Sequence, residues 1–151
     1  MHIAIVWTAS TSTAEFFING SSIGTETTGT ITALYDSTAS FRVGAMGDGG
    51  NYSDASVDDV RVWNAARTAT QISNNRSCSL AGTETNLQAY WRFDNDGNDS
   101  TANANNLTNN NSATFQSASL PFTNTCSAAS ATASKTIIKG KVIFQGKTIM
   151  R

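Results

Sequence analysis

Apolar side chains return at every second position in three separate stretches of this chain, and that period constrains the fold more than any other feature. Ile3, Ile5 and Trp7 are interleaved with His2, Ala4 and Val6; Val60 and Val62 alternate with Arg61 and Trp63; Leu87, Ala89, Trp91 and Phe93 alternate with Gln88, Tyr90 and Arg92. A period of two is the period of a β-strand. The first stretch is apolar at both parities and reads as a strand buried on both faces. Residues 55–63 read as the clearest strand, and 87–93 as a half-buried strand with a large apolar face. Between the first two stretches, Asn19-Gly20 separates two short apolar runs, a hairpin signal because both residue types tolerate positive φ. Thr30–Leu34 and Phe41–Gly44 read as further strands, and Gly47–Gly50 as a turn.

One helix interrupts the strand pattern. Thr68-Ala69-Thr70-Gln71 is a capping box, in which the Thr68 hydroxyl and the Gln71 side chain satisfy opposite ends of a first helical turn. The spacing predicts a short helix from there to about Asn75. Residues 95–112 are dominated by Asn, Asp, Ser and Thr and read as a loop with room for one short strand at 106–108. A single proline and a charged fraction of 14% suit strands joined by polar turns. The expected class is therefore all-β, an antiparallel sandwich with one short helix near 68–75.

Charge divides the chain. Residues 1–134 hold all eleven acids, five arginines and no lysine, a net charge of −6, whereas 135–151 hold four lysines and Arg151 with no acid, a net charge of +5. The break marks a boundary near Ser134, and the small-residue run 127–134 reads as a linker. An acidic body with scattered arginines argues against a nucleic-acid surface. No window approaches the roughly 18 apolar residues of a membrane-spanning helix, and Met1-His2-Ile3-Ala4 lacks the basic head of a signal peptide. Because residues 2–7 start in mid-strand, the sequence is expected to be cut from a longer polypeptide.

His2 is the only histidine, which leaves zinc chemistry or a Ser-His-Asp triad almost nothing to work with. Cys78 and Cys126 are the only cysteines, and in a secreted β protein such a pair reads as a disulfide. The alternative is two unrelated buried thiols.

A succession of motifs resembles the laminin G-like family of concanavalin A-like jelly rolls. HIAIVW (2–7) is similar to the family's strand of alternating apolar residues, EFFINGSSIG (15–24) to the hairpin that follows it, and 41–72 to the stretch that closes on a V-R-V-W-N strand and a short helix. ETNLQAYWRFDNDGNDSTANANNLT (84–108) resembles a further family segment built on Y-W-R-F-D. The resemblance covers about residues 2–115 and implies a sandwich over 1–126, truncated at its N-terminal side, with the second cysteine tying its tail to its body. The Y-W-R-F-D segment often opens a domain of this family, whereas here it follows the closing helix. It either completes the same sandwich or begins a second copy. If half the sandwich is missing, one sheet should expose its apolar face and the fragment should dimerise, swap strands or aggregate. Residues 135–151 resemble the opening strands of small Ig-like or carboxypeptidase-regulatory-type modules; the alternative is a lone β-hairpin folded onto the body.

Two clusters are candidates for a site. In Asp94-Asn95-Asp96-Gly97-Asn98-Asp99, alternating oxygens from Asp94, Asp96, Asn98 and Asp99 suit a hard cation such as Ca²⁺. The loop is not an EF-hand, since glycine falls at the fourth place and Asn105 stands where a bidentate Glu is required, and a solvated Asx-rich turn is the competing reading. In the glycine-rich stretch 47–54, Tyr52 is the best exposed contact for a ligand, with Asp48 and Asn51 beside it; Trp7, Trp63 and Trp91 are assigned to the core. Asp58 and Asp59 are expected to pair with Arg61 or Arg92. The paired-acid signature Glu-x-Asp-x-x-Glu of β-glucanases on this fold is absent, and Glu15, Glu26 and Glu84 are isolated, so no catalytic residue is assigned.

The resemblance thus implies a non-catalytic module of a larger secreted or surface protein. Its expected partners are a glycan or an extracellular protein, with Ca²⁺ as a conditional cofactor, no nucleic acid and no membrane insertion. A purely structural spacer and the accessory domain of a glycoside hydrolase are the alternatives.

Overall fold

A computed structural model describes residues 1–27, 29–31, 33, 39–45, 51–116 and 126. Strands β1 (Ile3–Thr8), β2 (Thr13–Ile18) and β3 (Ser21–Thr27) form an antiparallel sheet in the order β1-β2-β3. Strands β4 (Val60–Trp63) and β5 (Leu87–Trp91) form a second antiparallel pair, with helix α1 (Ala69–Asn75) between them in sequence. Antiparallel strands with one short helix are the all-β, concanavalin A-like arrangement expected from the sequence.

Local chemistry sets the turns. Asn19 and Gly20 both take positive φ, 51° and 84°, as a two-residue hairpin needs. The turn is fastened to the start of β1, because the Asn19 amide donates to the His2 carbonyl at 2.8 Å and the His2 amide donates to Asn19 Oδ1 at 2.9 Å. Gly20 has a second reason to be glycine: a Cβ there would lie 3.0 Å from Ser73 Cα and from Arg76 Cδ, where α1 approaches. The capping box at the head of α1 forms as its spacing predicts. Thr68 Oγ1 accepts from the Gln71 amide at 3.2 Å, and Gln71 Oε1 accepts from the Thr68 amide at 3.0 Å. α1 buries Ile72 and lies against β3.

The core sits under the second sheet. Leu80, Leu87 and Tyr90 form its centre, with Trp63 and Cys126 packed against them, and Ala89 and Trp91 are also buried. Cys78 and Cys126 are joined by a disulfide with Cα atoms 4.9 Å apart, and the Cys126 amide donates to the Ser79 carbonyl at 2.7 Å. Closing a separation of 48 residues removes loop entropy from the unfolded chain, an upper figure of about 4 kcal/mol.

Several expectations are corrected. β1 is not buried on both faces. Ile3 stands opposite Ile18 and Ile5 opposite Phe16, while Ala4 stands opposite Phe17; Phe17 is buried, but Ile3 and Ile5 are 61% and 63% exposed. The strand expected over 55–63 is confined to Val60–Trp63, because Asp59 adopts φ 53° and breaks the extended run. At the far end, β5 stops at Trp91 because Phe93 adopts φ 57° and its carbonyl accepts from the Asn95 amide at 2.9 Å. Phe41–Gly44 is not a strand either; Gly44 has φ 74°, and the local pairing is a single bridge between Ala45 and Tyr52. The short strand foreseen near 106–108 is reduced to one bond, from the Leu107 amide to the Gly97 carbonyl at 2.9 Å. Of the strand expected over Thr30–Leu34, the described residues Thr30, Ile31 and Ala33 are in no strand; Thr32 and Leu34, the turn at 47–50, the linker 127–134 and the segment 135–151 lie outside the described residues.

Candidate functional site

β5 and the loop after it position the acidic candidates, and Asp99 is put to a structural use. Its carboxylate is buried and accepts from the Tyr90 amide at 3.0 Å, the Thr101 amide and hydroxyl at 2.9 Å each, the Asn105 amide at 2.9 Å and Asn105 Nδ2 at 3.2 Å. Burial by itself would raise the Asp99 pKa, but the donors of Thr101, Tyr90 and Asn105 outweigh it and hold the carboxyl below its ordinary value. Five donors saturate an ionised carboxylate, so Asp99 binds the loop to β5. Asp94 and Asp96 remain at the surface; Asp96 accepts from the Asn98 amide at 3.0 Å and from Asn98 Nδ2 at 2.7 Å, an Asx turn closed on itself. Among the described residues no three His, Cys, Asp or Glu side chains converge as a metal-binding group, and the four positions Asp94, Asp96, Asn98 and Asp99 do not form one nest of oxygens.

The second acidic cluster is a clamp. Arg61 meets Asp59 at 3.3 Å and donates to the carbonyls of Asn75 and Cys78, each at 2.6 Å; Arg92 donates to the Leu80 carbonyl at 2.6 Å. The two guanidiniums flank the buried Tyr90 ring, 5.1 and 5.2 Å from its centroid, and the Tyr90 hydroxyl donates to Asp59. Burial, and then the Asp59 carboxylate, push the Tyr90 phenol above its ordinary pKa. Burial and the neighbouring Asp59 do the same to Asp58, despite the amide of Asp59 that it accepts at 2.9 Å. The expected pairing of these acids with Arg61 or Arg92 is realised as Asp59 with Arg61. These contacts join β4, β5 and the segment 75–80 that carries Cys78.

The exposed aromatics are of a different kind. Tyr52 is 54% exposed beside Asn51, which is also at the surface; Asp48 lies outside the described residues. The local sequence did not single out Phe41. Its ring lies 44% exposed and stacked on buried Trp91, with centroids 5.2 Å apart and planes 16° from parallel. Trp91 is itself fixed by donating from Nε1 to the Asn105 carbonyl at 2.7 Å. An aromatic face held on a rigid indole, next to a loop rich in amide and hydroxyl groups, can stack on an apolar ring face and hydrogen-bond its substituents. Of the other tryptophans, Trp63 packs on the core cluster and is covered by Arg67, whose guanidinium lies 4.0 Å from its ring centroid. Trp7 is half-buried in the first sheet.

Among the described residues no helix is long and apolar enough to cross a membrane. Neither curated proteins nor solved structures provide a match to the chain. The laminin G family model described as the concanavalin A-like lectin/glucanases superfamily matches residues 1–73, which span β1 to β4 and most of α1. Over residues 1–73, just under half of its 151 residues, the chain is thus similar to the laminin G-like form of that superfamily, and the antiparallel sheets and the single capped helix agree with the likeness.

Proposed function

We propose that this chain is a non-catalytic, extracellular recognition module for a glycan or protein ligand, with Phe41 and Tyr52 as its contact residues. The family supports a carbohydrate- or protein-binding role in general terms. The observation that carries the finer reading is the Phe41 ring stacked on an immobilised Trp91, since a ring already held in place loses little side-chain entropy on contact. The disulfide supports an oxidising compartment. Calcium enters the reading only through Asp94, Asp96 and Asn98, because Asp99 is occupied by the protein's own donors.

The test is to probe the oxidised chain against a glycan array and a panel of extracellular-matrix proteins, with millimolar Ca²⁺ and with EDTA, and to repeat any positive with Phe41→Ala and Tyr52→Ala. Each substitution is expected to weaken binding about tenfold, the equivalent of 1.4 kcal/mol, with EDTA showing whether the surface acidic residues contribute. Full binding by both variants would overturn the assignment of the surface. Absence of any ligand would favour the structural spacer.

A further inference from the structure

His2 stands where three parts of the molecule meet. It precedes β1, and its main chain holds the turn at 19–20 through both of its bonds to Asn19. Gly20 of that turn lies against Ser73 and Arg76, in the last turn of α1 and at its C-cap. From β4, Arg61 reaches the same end of the helix and donates to the Asn75 carbonyl at 2.6 Å. The His2 imidazole is half-buried at this junction, and its Nδ1 is shielded from solvent and meets no hydrogen-bond partner. The charged groups that face it are Arg61 from β4, Arg76 from the end of α1 and the Met1 amine, all of them positive. The Asp59 carboxylate is already shared between Arg61 and the Tyr90 hydroxyl.

A neutral imidazole suits this place and an imidazolium does not. With its proton on Nε2, neutral His2 leaves Nδ1 a bare acceptor. Protonation turns Nδ1 into a buried N–H with no acceptor and adds a further positive charge to the junction. We propose that His2 is a pH-sensitive latch between the first sheet and the end of α1: neutral, it lets β1 and the turn at 19–20 close against Arg61 and Arg76, and protonated, it drives them apart. Burial, and then Arg61, Arg76 and the Met1 amine, hold the imidazole below its ordinary pKa. The opened chain therefore takes up the proton first as pH falls. The closed joint is complete above the unfolded value of about 6.5 and weakens as pH drops below it. Carboxylates such as Asp99 titrate near or below about 4, so the two acid effects are separable.

The experiment is hydrogen–deuterium exchange of the full oxidised chain at about pH 7.5 and about pH 5.5, a span in which histidine changes charge. Corrected for the intrinsic pH dependence of exchange, wild type is compared with His2→Gln, whose side chain cannot take up a charge. In wild type the amides of β1 and β2 are expected to lose protection several-fold at the lower pH while those of β5 keep theirs. In His2→Gln both sets are expected to hold. No loss in wild type, equal loss in the two proteins, or a loss spread equally over β5 overturns the proposal. Because His2 is the only histidine, its Cε1 proton gives a single imidazole resonance. A wild-type NMR titration therefore decides the matter even where the variant fails to fold. A midpoint below about 6.5 is expected, and one at or above it overturns the proposal.

Discussion

β5 and β3 are strands of similar length, five and seven residues, yet four of the five side chains of β5 are buried and all seven of β3 are exposed. β5 is held from every side. β4 pairs with it along one edge, Asp99 accepts from the Tyr90 amide, and Arg61 and Arg92 close over the Tyr90 ring. β3 pairs with β2 and touches α1, and its other edge meets nothing described. A strand is therefore not buried by its own pattern. It is buried when other segments bring apolar surface and hydrogen-bond donors to it, and in this chain those segments converge on β5.

The comparison breaks most readily at Trp91. Trp91→Ala should destabilise the protein by about 4 kcal/mol, the cost of removing a fully buried aromatic, and urea denaturation followed by circular dichroism will show it. An effect under 1 kcal/mol would mean that β5 is no more essential than β3. Next in size is Asp99→Asn, expected to lose about 2 kcal/mol because an amide cannot accept from all the donors gathered around the carboxylate. That variant also tests the pH dependence. The Asp99 carboxyl is held below its ordinary pKa when folded, so its contribution is complete above the unfolded value of about 4 and is lost as pH falls through the lower folded value. Thermal scans from pH 6 down to pH 2 should show an acid-induced fall in wild type that is shallower in Asp99→Asn. The smallest effect belongs to the first sheet. Ile5→Thr should change stability by less than about 1 kcal/mol, measured by the same denaturation; a loss of several kcal/mol would mean that the exposed face is as tightly packed as β5.

Much of the local structure was legible because it depends on residues close in sequence. The capping box reads directly from Thr68 and Gln71, and the hairpin from Asn19-Gly20. Asp59 with Arg61 and the exposure of Tyr52 were also foreseen. Asp59 and Phe93 were not foreseen as strand breakers: neither is glycine, the residue whose presence signals a positive φ, yet both adopt one. Asp99 read as a cation ligand because its spacing from Asp94, Asp96 and Asn98 suits alternating oxygens. The overlooked signal was Thr101, two residues on, whose amide and hydroxyl make an Asx-type turn with the Asp99 carboxylate. Phe41 gave no signal at all, since its stack on Trp91 joins residues fifty positions apart.

By itself the sequence determined an all-β chain with one capped helix at 69–75, the turn at 19–20 and a cysteine pair available for a bridge, because periodicity and capping are carried by spacings of two to four residues. Only the tertiary structure decided which parity of β1 is covered, that Asp99 faces five donors, and that Phe41 rests on Trp91. Those outcomes depend on which distant segment supplies the opposing surface, and no local spacing records that.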